Sequence, residues 1–479
     1  MRAKTSRRKF LASGAAAGMS TWFAARTSWA AGDAPSDRVR VASIGCGGRG
    51  GGVVWDVANV VKPENVVALC DVDEVQAKGV FSNNAFKECR RYRDFREMLE
   101  KEENAIDAVT VGIPDHTHAA AAAMAMRMGK HVYVEKPLTY TVKEARVLRE
   151  LAAEKKLATQ MGNQGTAGGR LREGVEIVQA GLLGEVREVH TWTNRPVWPQ
   201  GIDAIFNKHE GVKKALHGKL DGGEISAKAP DTLSWNLWLG PSPERPYDKC
   251  YLPFNWRGWL DWGTGSLGDM ACHTMNLPYM ALKLDAPTSV EAEVSFLNPE
   301  TYPEWGKVTY EFPASGDRPA VMWYWYDGNE WSPKHFAERM KSSPSKVLGK
   351  SPAEIFGSGK PSGSGSLIVG SKGMLYSTDD YGNDWKLLPG EAFKDMQKPE
   401  PTLPRSPGHA AEWIRAIRGG PKAMSNFDYA GRLTEFILLG NVAMRMQSRI
   451  EWDAAAFKIT NNEKANRFLH REYRKGWTL

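Results

Sequence analysis

Asp269 and His273 stand four residues apart in Gly268-Asp269-Met270-Ala271-Cys272-His273, and Lys136 stands between an acid and a proline in Glu135-Lys136-Pro137. Residues four apart on a helix share a face, so this carboxylate and imidazole can meet. An imidazole with a reference pKa of about 6.5 takes a proton from an alcohol near neutral pH, and a carboxylate beside it fixes its tautomer. A lysine at the end of a buried strand donates to a hydroxyl, or to an oxygen becoming a carbonyl, if burial or a neighbour keeps its charge useful. Each motif also has an ordinary reading. Asp-x-x-x-His is common in helices that do no chemistry, and a lysine before proline often only marks where a strand stops.

The segment from Val39 to Asp71 supplies the missing context. A short apolar strand, VRVASIG, runs into Gly45-Cys46-Gly47-Gly48-Arg49-Gly50, and a second strand, NVVALCD, ends in an acid. Glycines at this spacing let the backbone turn tightly and approach a pyrophosphate, and the following helix offers its N-terminal N–H groups to the anion. Asp71, 26 residues after Gly45, is placed to accept hydrogen bonds from a ribose 2′-hydroxyl. It would repel a 2′-phosphate, so NAD is expected over NADP, with Arg49 in the loop as the one cation that could offset the repulsion.

From Val39 to about Thr159 strands and helices alternate. AIDAVTVG reads as a parallel strand covered on both faces, HAAAAAMAMRMG as a helix closed by Gly129, KHVYVEKPL as a strand, TVKEARVLRELAAEKK as a helix and LATQMG as a strand. The pattern predicts a doubly wound Rossmann domain over 38–160, with ligand at the carboxyl ends of its strands. After Met161 a helix, RLREGVEIVQAGLLG, leads into EVREVHTWTN, a Gly/Pro/Trp-rich excursion to about Asp261, and the alternating strands SVEAEVSF, GKVTYEF and RPAVMWYWY. The fold class is therefore α/β: an N-terminal Rossmann domain followed, over 161–479, by an α+β substrate domain with a mostly antiparallel sheet and C-terminal helices. Ser342 to Ser366, rich in Ser, Gly, Pro and Lys, reads as an exposed loop.

Residues 1–31 stand apart from the fold. Ser6-Arg7-Arg8-Lys9-Phe10-Leu11 has the form of a twin-arginine export signal, followed by an Ala/Gly-rich segment too short to span a bilayer and a small-residue cleavage site near Ser28-Trp29-Ala30. A periplasmic location with no membrane span in the mature form is expected. Arg2, Lys4, Arg7, Arg8, Lys9 and Arg26 supply six of the seven net positive charges. The remainder is nearly neutral, which argues against a nucleic-acid or polybasic membrane partner. Five cysteines with no zinc spacing make a poor disulfide framework and read as buried small residues, and no metal site is expected.

Other residues are candidates for the walls of a site. Pro114, His116 and His118 follow the fourth strand at a helix start, with Asp115 or Thr117 as a helix cap in the plainer reading. The pair His-x-His has no third ligand nearby. Asn163 and Gln164 end a strand and are placed to reach sugar hydroxyls. Arg195, Trp198, Arg257 and Trp259 combine flat apolar faces with fork-like donors suited to a polyhydroxylated ring. His409 and Glu412 read as structural members of a late helix.

Across nearly all of the chain after the signal, GCGGRG, ALCDVD, GIPDHTHA, VYVEKPL, GNQGTAGG, NRPVWPQG and GDMACH resemble the Gfo/Idh/MocA oxidoreductase family, in its longer, signal-bearing bacterial branch. The resemblance implies catalytic roles for Lys136 and His273 with Asp269 assisting, a cofactor site including Pro114, His116, His118, Glu135 and Lys136, and a sugar or cyclitol substrate contacted by Asn163, Gln164, Arg195, Trp198, Arg257, Asp269 and His273. The activity it implies is hydride transfer from a secondary alcohol; a periplasm without a large free nicotinamide pool leads to a tightly bound, recycled cofactor, and a homo-oligomer joined through the second sheet is expected. Two alternatives stand beside it. One is redox-neutral glycoside cleavage through a 3-keto intermediate, although the family's glycosidase branch departs from the Glu-Lys-Pro that this chain keeps. The other is a noncatalytic sugar-binding module, against which the joint retention of Lys136, Asp269 and His273 argues.

Overall fold

The first six strands, β1 (Val41–Ile44), β2 (Val66–Cys70), β3 (Arg90–Tyr92), β4 (Ala108–Val111), β5 (His131–Val134) and β6 (Thr159–Met161), pair in the order β3-β2-β1-β4-β5-β6. Every pairing is parallel. The order reverses between β2-β1 and β4, which opens a crevice at the strand ends where a doubly wound sheet binds its ligand. β1 and β4 are buried along their whole length, the reason their sequences are continuously apolar rather than alternating. The computed structural model describes residues 38–201, 228–328, 343–357 and 359–479. The export segment and its cleavage site lie outside the described residues.

Helices follow the strands where the sequence puts them. α1 (Gly48–Val61) opens directly on the glycine loop with Gly47 as its N-cap. α2 (Asp115–Arg127) starts three residues earlier than the Ala-rich run, so His116 and His118 fall in its buried first turn. α3 (Val142–Glu154) begins in a capping box between Thr141 and Glu144, which satisfies two orphan N–H groups at once.

Among the described residues the second sheet has nine strands: β7 (Val186–Trp192), β8 (Ser289–Val294), β9 (Trp305–Phe312), β10 (Val321–Gly328), β11 (Gly365–Gly370), β12 (Met374–Ser377), β13 (Trp385–Leu388), β14 (Ile450–Asp453) and β15 (Lys458–Ile459), ordered β13-β12-β11-β7-β10-β9-β8-β14-β15. It is antiparallel except where β10 runs parallel to β7. β9 alternates strictly between buried and half-buried residues, as a strand with one covered face must. The cover comes from α4 (Gly265–Thr274) and the long α5 (Phe427–Met446), whose Phe436 packs on Tyr310, Phe312 and Trp323. α5 also packs on α3, where the Arg146 guanidinium grips Glu435 at 2.7 and 2.8 Å. Val39–Leu479 thus form one compact unit.

One expectation fails in the second half. The described part of Ser342–Ser366 is not an exposed loop. Pro344–Leu348 and Pro352–Phe356 are short helices, and Ile355 and Phe356 are fully buried, Phe356 packing against Trp192 and Tyr376. The flanking Ser, Gly and Pro mask two apolar residues that pack on a face of the sheet across β7 and β12.

Candidate active site

The cofactor end of the crevice is made of backbone. Gly45 has φ +89°, a conformation side chains rarely adopt, and a Cβ there would stand 2.2 Å from the Gly112 carbonyl oxygen. A Cβ on Gly50 would meet the same oxygen at 2.4 Å, whereas at Gly48 it would enter open space. Glycine 45 and glycine 50 therefore let the loop nest against β4, and Gly48 leaves the helix mouth clear. No side chain caps α1 and no acid lies in its first turn, so its N–H groups and positive dipole end remain available to an anion. Asp71 ends β2 and accepts from the N–H of Cys46 at 2.7 Å and of Asp73 at 2.9 Å. It holds the glycine loop as well as facing the crevice. Burial raises its pKa, opposed by those N–H bonds. These residues fit a dinucleotide.

The other end is made of side chains in contact. Lys136 Nζ donates to Asp269 Oδ1 at 2.9 Å and to the Asp269 carbonyl at 3.1 Å, and Arg257 Nε donates to the same Oδ1 at 3.3 Å. Burial alone would lower the lysine, but Asp269 outweighs it and holds Lys136 cationic, above its ordinary pKa. Burial pushes Asp269 up, yet Lys136 and Arg257 bring it well below the usual carboxylate range. His273, one turn further along α4, is driven well below its ordinary pKa by burial and by the Lys136 charge, so it is neutral. Its Nδ1 is buried with no hydrogen-bond partner, and the edge of its ring meets Tyr381 at 4.9 Å. The arrangement is a fixed cation beside an unprotonated base.

The sequence placed Asp269 as the partner of His273; its hydrogen bonds and ion pairs go to Lys136 and Arg257 instead. Gly45, Gly47, Gly48, Arg49, Gly50, Asp71, Pro114, Glu135, Lys136, Gln164, Arg195, Trp198, Arg257, Asp269 and His273 all line one cavity of about 590 Å³. Four candidates do not. His116 is buried against Trp238, its Nε2 3.0 Å from the Trp238 carbonyl, and burial pushes it down to about 3. His118 sits between the carbonyls of Pro137 and Ile113 at 2.8 and 2.7 Å, pinning the end of β5 to the loop after β4. Asn163 donates to the Cys272 carbonyl at 3.3 Å and accepts from Ser425. These three support the site from behind. Trp259 is likewise core, among Tyr251 and Trp262. Arg49, the one loop cation that could offset the repulsion of a 2′-phosphate, donates to Glu135 at 2.9 Å and pairs with Asp56 at 3.2 Å. His409 and Glu412 are structural, bonded to the Met161 carbonyl and to Arg172.

Sequence reasoning gave no site role to several cavity residues, among them Arg93, Val197, Phe254, Trp256, Asp115 and Tyr381. Tyr381 enters from the turn between β12 and β13, with no motif to mark it. Asp115, read only as a cap, accepts from the hydroxyl of Thr264 at 2.7 Å and its N–H at 3.2 Å, joining the start of α2 to the start of α4; burial pushes its pKa up to about 7. Its signal was an acid at a helix start with no free N–H to cap.

The family model for an oxidoreductase family with an NAD-binding Rossmann fold matches residues 39–163, and the model for that family's C-terminal alpha/beta domain matches residues 197–318. The chain belongs to the Gfo/Idh/MocA oxidoreductase family. A dTDP-3,4-didehydro-2,6-dideoxy-alpha-D-glucose 3-reductase of Saccharopolyspora spinosa is 33% identical over 129 residues, 25% of this chain and 38% of that protein. A glycosyl hydrolase family 109 protein of Solibacter usitatus is 30% identical over 161 residues, 32% of this chain and 36% of that protein. This Gfo/Idh/MocA chain thus spans little more than a third of these curated relatives. The WlbA dehydrogenase of Bordetella pertussis, solved with NADH and UDP-GlcNAcA, shares the fold with a TM-score of 0.55 at 14% identity, over 87% of this chain and 99% of that one.

Proposed function

We propose that the chain oxidises a secondary alcohol of a sugar or cyclitol, using NAD that stays bound and is recycled by a second substrate. The observation that carries the reading is the pairing of Lys136 with Asp269 beside neutral His273, in one cavity with the glycine loop. When bound, the nicotinamide supplies the hydride acceptor. His273 takes the hydroxyl proton, and Lys136, kept charged by Asp269, holds the oxygen as it becomes a carbonyl. Proton transfer from a positioned base contributes typically about 10²- to 10⁴-fold, and alignment supplies much of the rest. The buried oxygen of Gln164, unpartnered at the cavity wall, suits a further substrate hydroxyl. Mass spectrometry of the protein as purified, then after incubation with a sugar panel, tests the reading. Bound NAD and a keto product are expected; a cofactor-loaded protein that oxidises no member of a broad panel overturns it.

A second reading, redox-neutral cleavage through a 3-keto sugar, draws on the similarity to the Solibacter glycosyl hydrolase. The same assay separates the two, since cleavage releases an aglycone without net keto product. The twin-arginine segment supports a periplasmic enzyme that folds and loads its cofactor before export. Replacing Arg7 and Arg8 with Lys should strand the precursor in the cytoplasm, as fractionation and processing would show. We further propose a homo-oligomer through the second sheet, which light scattering tests.

A further inference from the structure

Beyond Lys136 and Asp269 the cavity changes character. Four large apolar side chains among the described residues are strongly exposed, and two of them, Val197 at 53% and Phe254 at 42%, line this cavity. Apolar residues scattered singly over a surface need no explanation, but two in one cleft mark a binding wall. Trp198 and Trp256 back them, with Trp198 edge-on to Phe254 at 5.6 Å. Both indole N–H groups are already bonded, Trp198 to Gln200 at 2.9 Å and Trp256 to the carbonyl of the cavity residue Pro253 at 3.1 Å, so neither is free to donate to a ligand. Arg257 spans the two parts. Its Nε rests on Asp269, and its guanidinium lies 4.4 Å from the ring centres of both Phe254 and Trp256. The aromatic wall therefore begins one guanidinium beyond the Lys136–Asp269 pair, where a second ring attached to the reacting ring would lie.

The charges fit the same occupant. The cations lining the cavity among the described residues are Arg49, Arg93, Lys136, Arg195 and Arg257. Each already faces a carboxylate, of Glu135, Glu74, Asp269, Asp380 and Asp269 respectively, at 2.5 to 3.7 Å. A diphosphate is recognised by arginine forks or lysines free to neutralise it. Here such a group would have to displace an acid from every cation it met.

We propose that the cavity holds a second, apolar subsite formed by Val197, Phe254 and Trp256, and that the substrate is a neutral glycoside carrying an aryl or comparably flat apolar aglycone rather than a nucleotide-activated sugar. The inference rests on the reading that the reacting alcohol lies against Lys136 and His273. The test uses the full protein loaded with NADH, so that no oxidation occurs during titration. Methyl and phenyl gluco-, galacto- and mannopyranosides and UDP-glucose are titrated by calorimetry. For the sugar that binds best, the phenyl glycoside should bind at least tenfold more tightly than the methyl glycoside, and UDP-glucose no more tightly than methyl glucoside. Phe254→Ala, at an exposed position, should remove most of that preference with the melting temperature unchanged. Val197→Asp, a second exposed change, should do the same if Phe254→Ala proves unstable. Equal affinities for phenyl and methyl forms, no measurable glycoside binding, or tighter UDP-glucose binding overturns the proposal. Formation of NADH is followed separately on NAD-loaded protein. Preferential phenyl binding without turnover would remove the dehydrogenase reading and leave the subsite, and turnover of methyl glycosides without phenyl preference would do the reverse.

Discussion

The two ends of the cavity are built from different materials. The cofactor end uses glycines, helix N–H groups and one strand-end acid, all within residues 45–71, so spacing along the chain already carries its geometry. The alcohol end unites Lys136 from β5, Asp269 and His273 from α4, and Tyr381 from a turn. Their contacts span more than a hundred residues and depend on how two sheets pack. A backbone site is thus encoded locally, whereas a side-chain site is encoded in the tertiary fold.

The contrast breaks most sharply at its catalytic end. Lys136→Ala and His273→Ala should each lower turnover by about 10²- to 10⁴-fold, the His273 change with bound NAD and melting temperature nearly unchanged, and the double variant should be little worse than either, because groups acting as a unit are non-additive. If His273 only satisfied the core, its loss would instead cost stability, about 1 to 3 kcal/mol, with turnover per folded molecule intact. Rate, cofactor content and melting temperature on one preparation separate the outcomes.

At the backbone end, Gly45→Ala forces a side chain into a φ of +89° and against the Gly112 oxygen. Strain of about 1 to 3 kcal/mol is expected, and NAD should be lost from the purified protein while a folded second half persists. Asp71→Ala should weaken NAD and NADP together, since it also releases the Cys46 N–H, and should narrow the preference for NAD by about tenfold, roughly 1.4 kcal/mol. Titration with both cofactors reads the two effects apart.

The smallest effect is sharpest in its sign. Asp115 is raised from 3.8 to about 7 in the folded protein, so between those values the native state holds a proton that the unfolded chain has released. Its contribution to stability is therefore present below about pH 4 and is lost as pH rises to 7. Asp115→Asn removes the ionisation. Relative to the unmodified protein it should gain stability from pH 5 to pH 8, as denaturant midpoints at the two pH values would show.

Much of the fold was legible because its signals are short-range. The glycine loop, the apolar parallel strands and the alternation in β9 each need only a few neighbouring residues. At the site, Lys136 and His273 stood in motifs, but the partner of Asp269 did not: helical spacing suggested His273, whereas a lysine 133 positions away took the carboxylate. The family resemblance set His116 and His118 beside the cofactor, yet both are buried in the first turn of α2. Ile355 and Phe356 were hidden by the composition around them. The first and last of these misses are tertiary packing overriding a local cue.

The helices His409–Ile417 and α5, late in the chain, complete the early sheet. Trp413 lies edge-on to Tyr133 of β5, the Met161 N–H at the end of β6 donates to the Ser425 carbonyl, and Arg146 of α3 grips Glu435. During synthesis the Rossmann half therefore leaves the ribosome with its flank bare, and it waits on roughly the last seventy residues of the 479 for cover. Such long-range closure is slow and favours folding after release. A stable nucleotide-binding fragment should not be obtainable by stopping the chain near residue 160, and nascent chains stalled before Glu435 should remain sensitive to protease within β5 and β6.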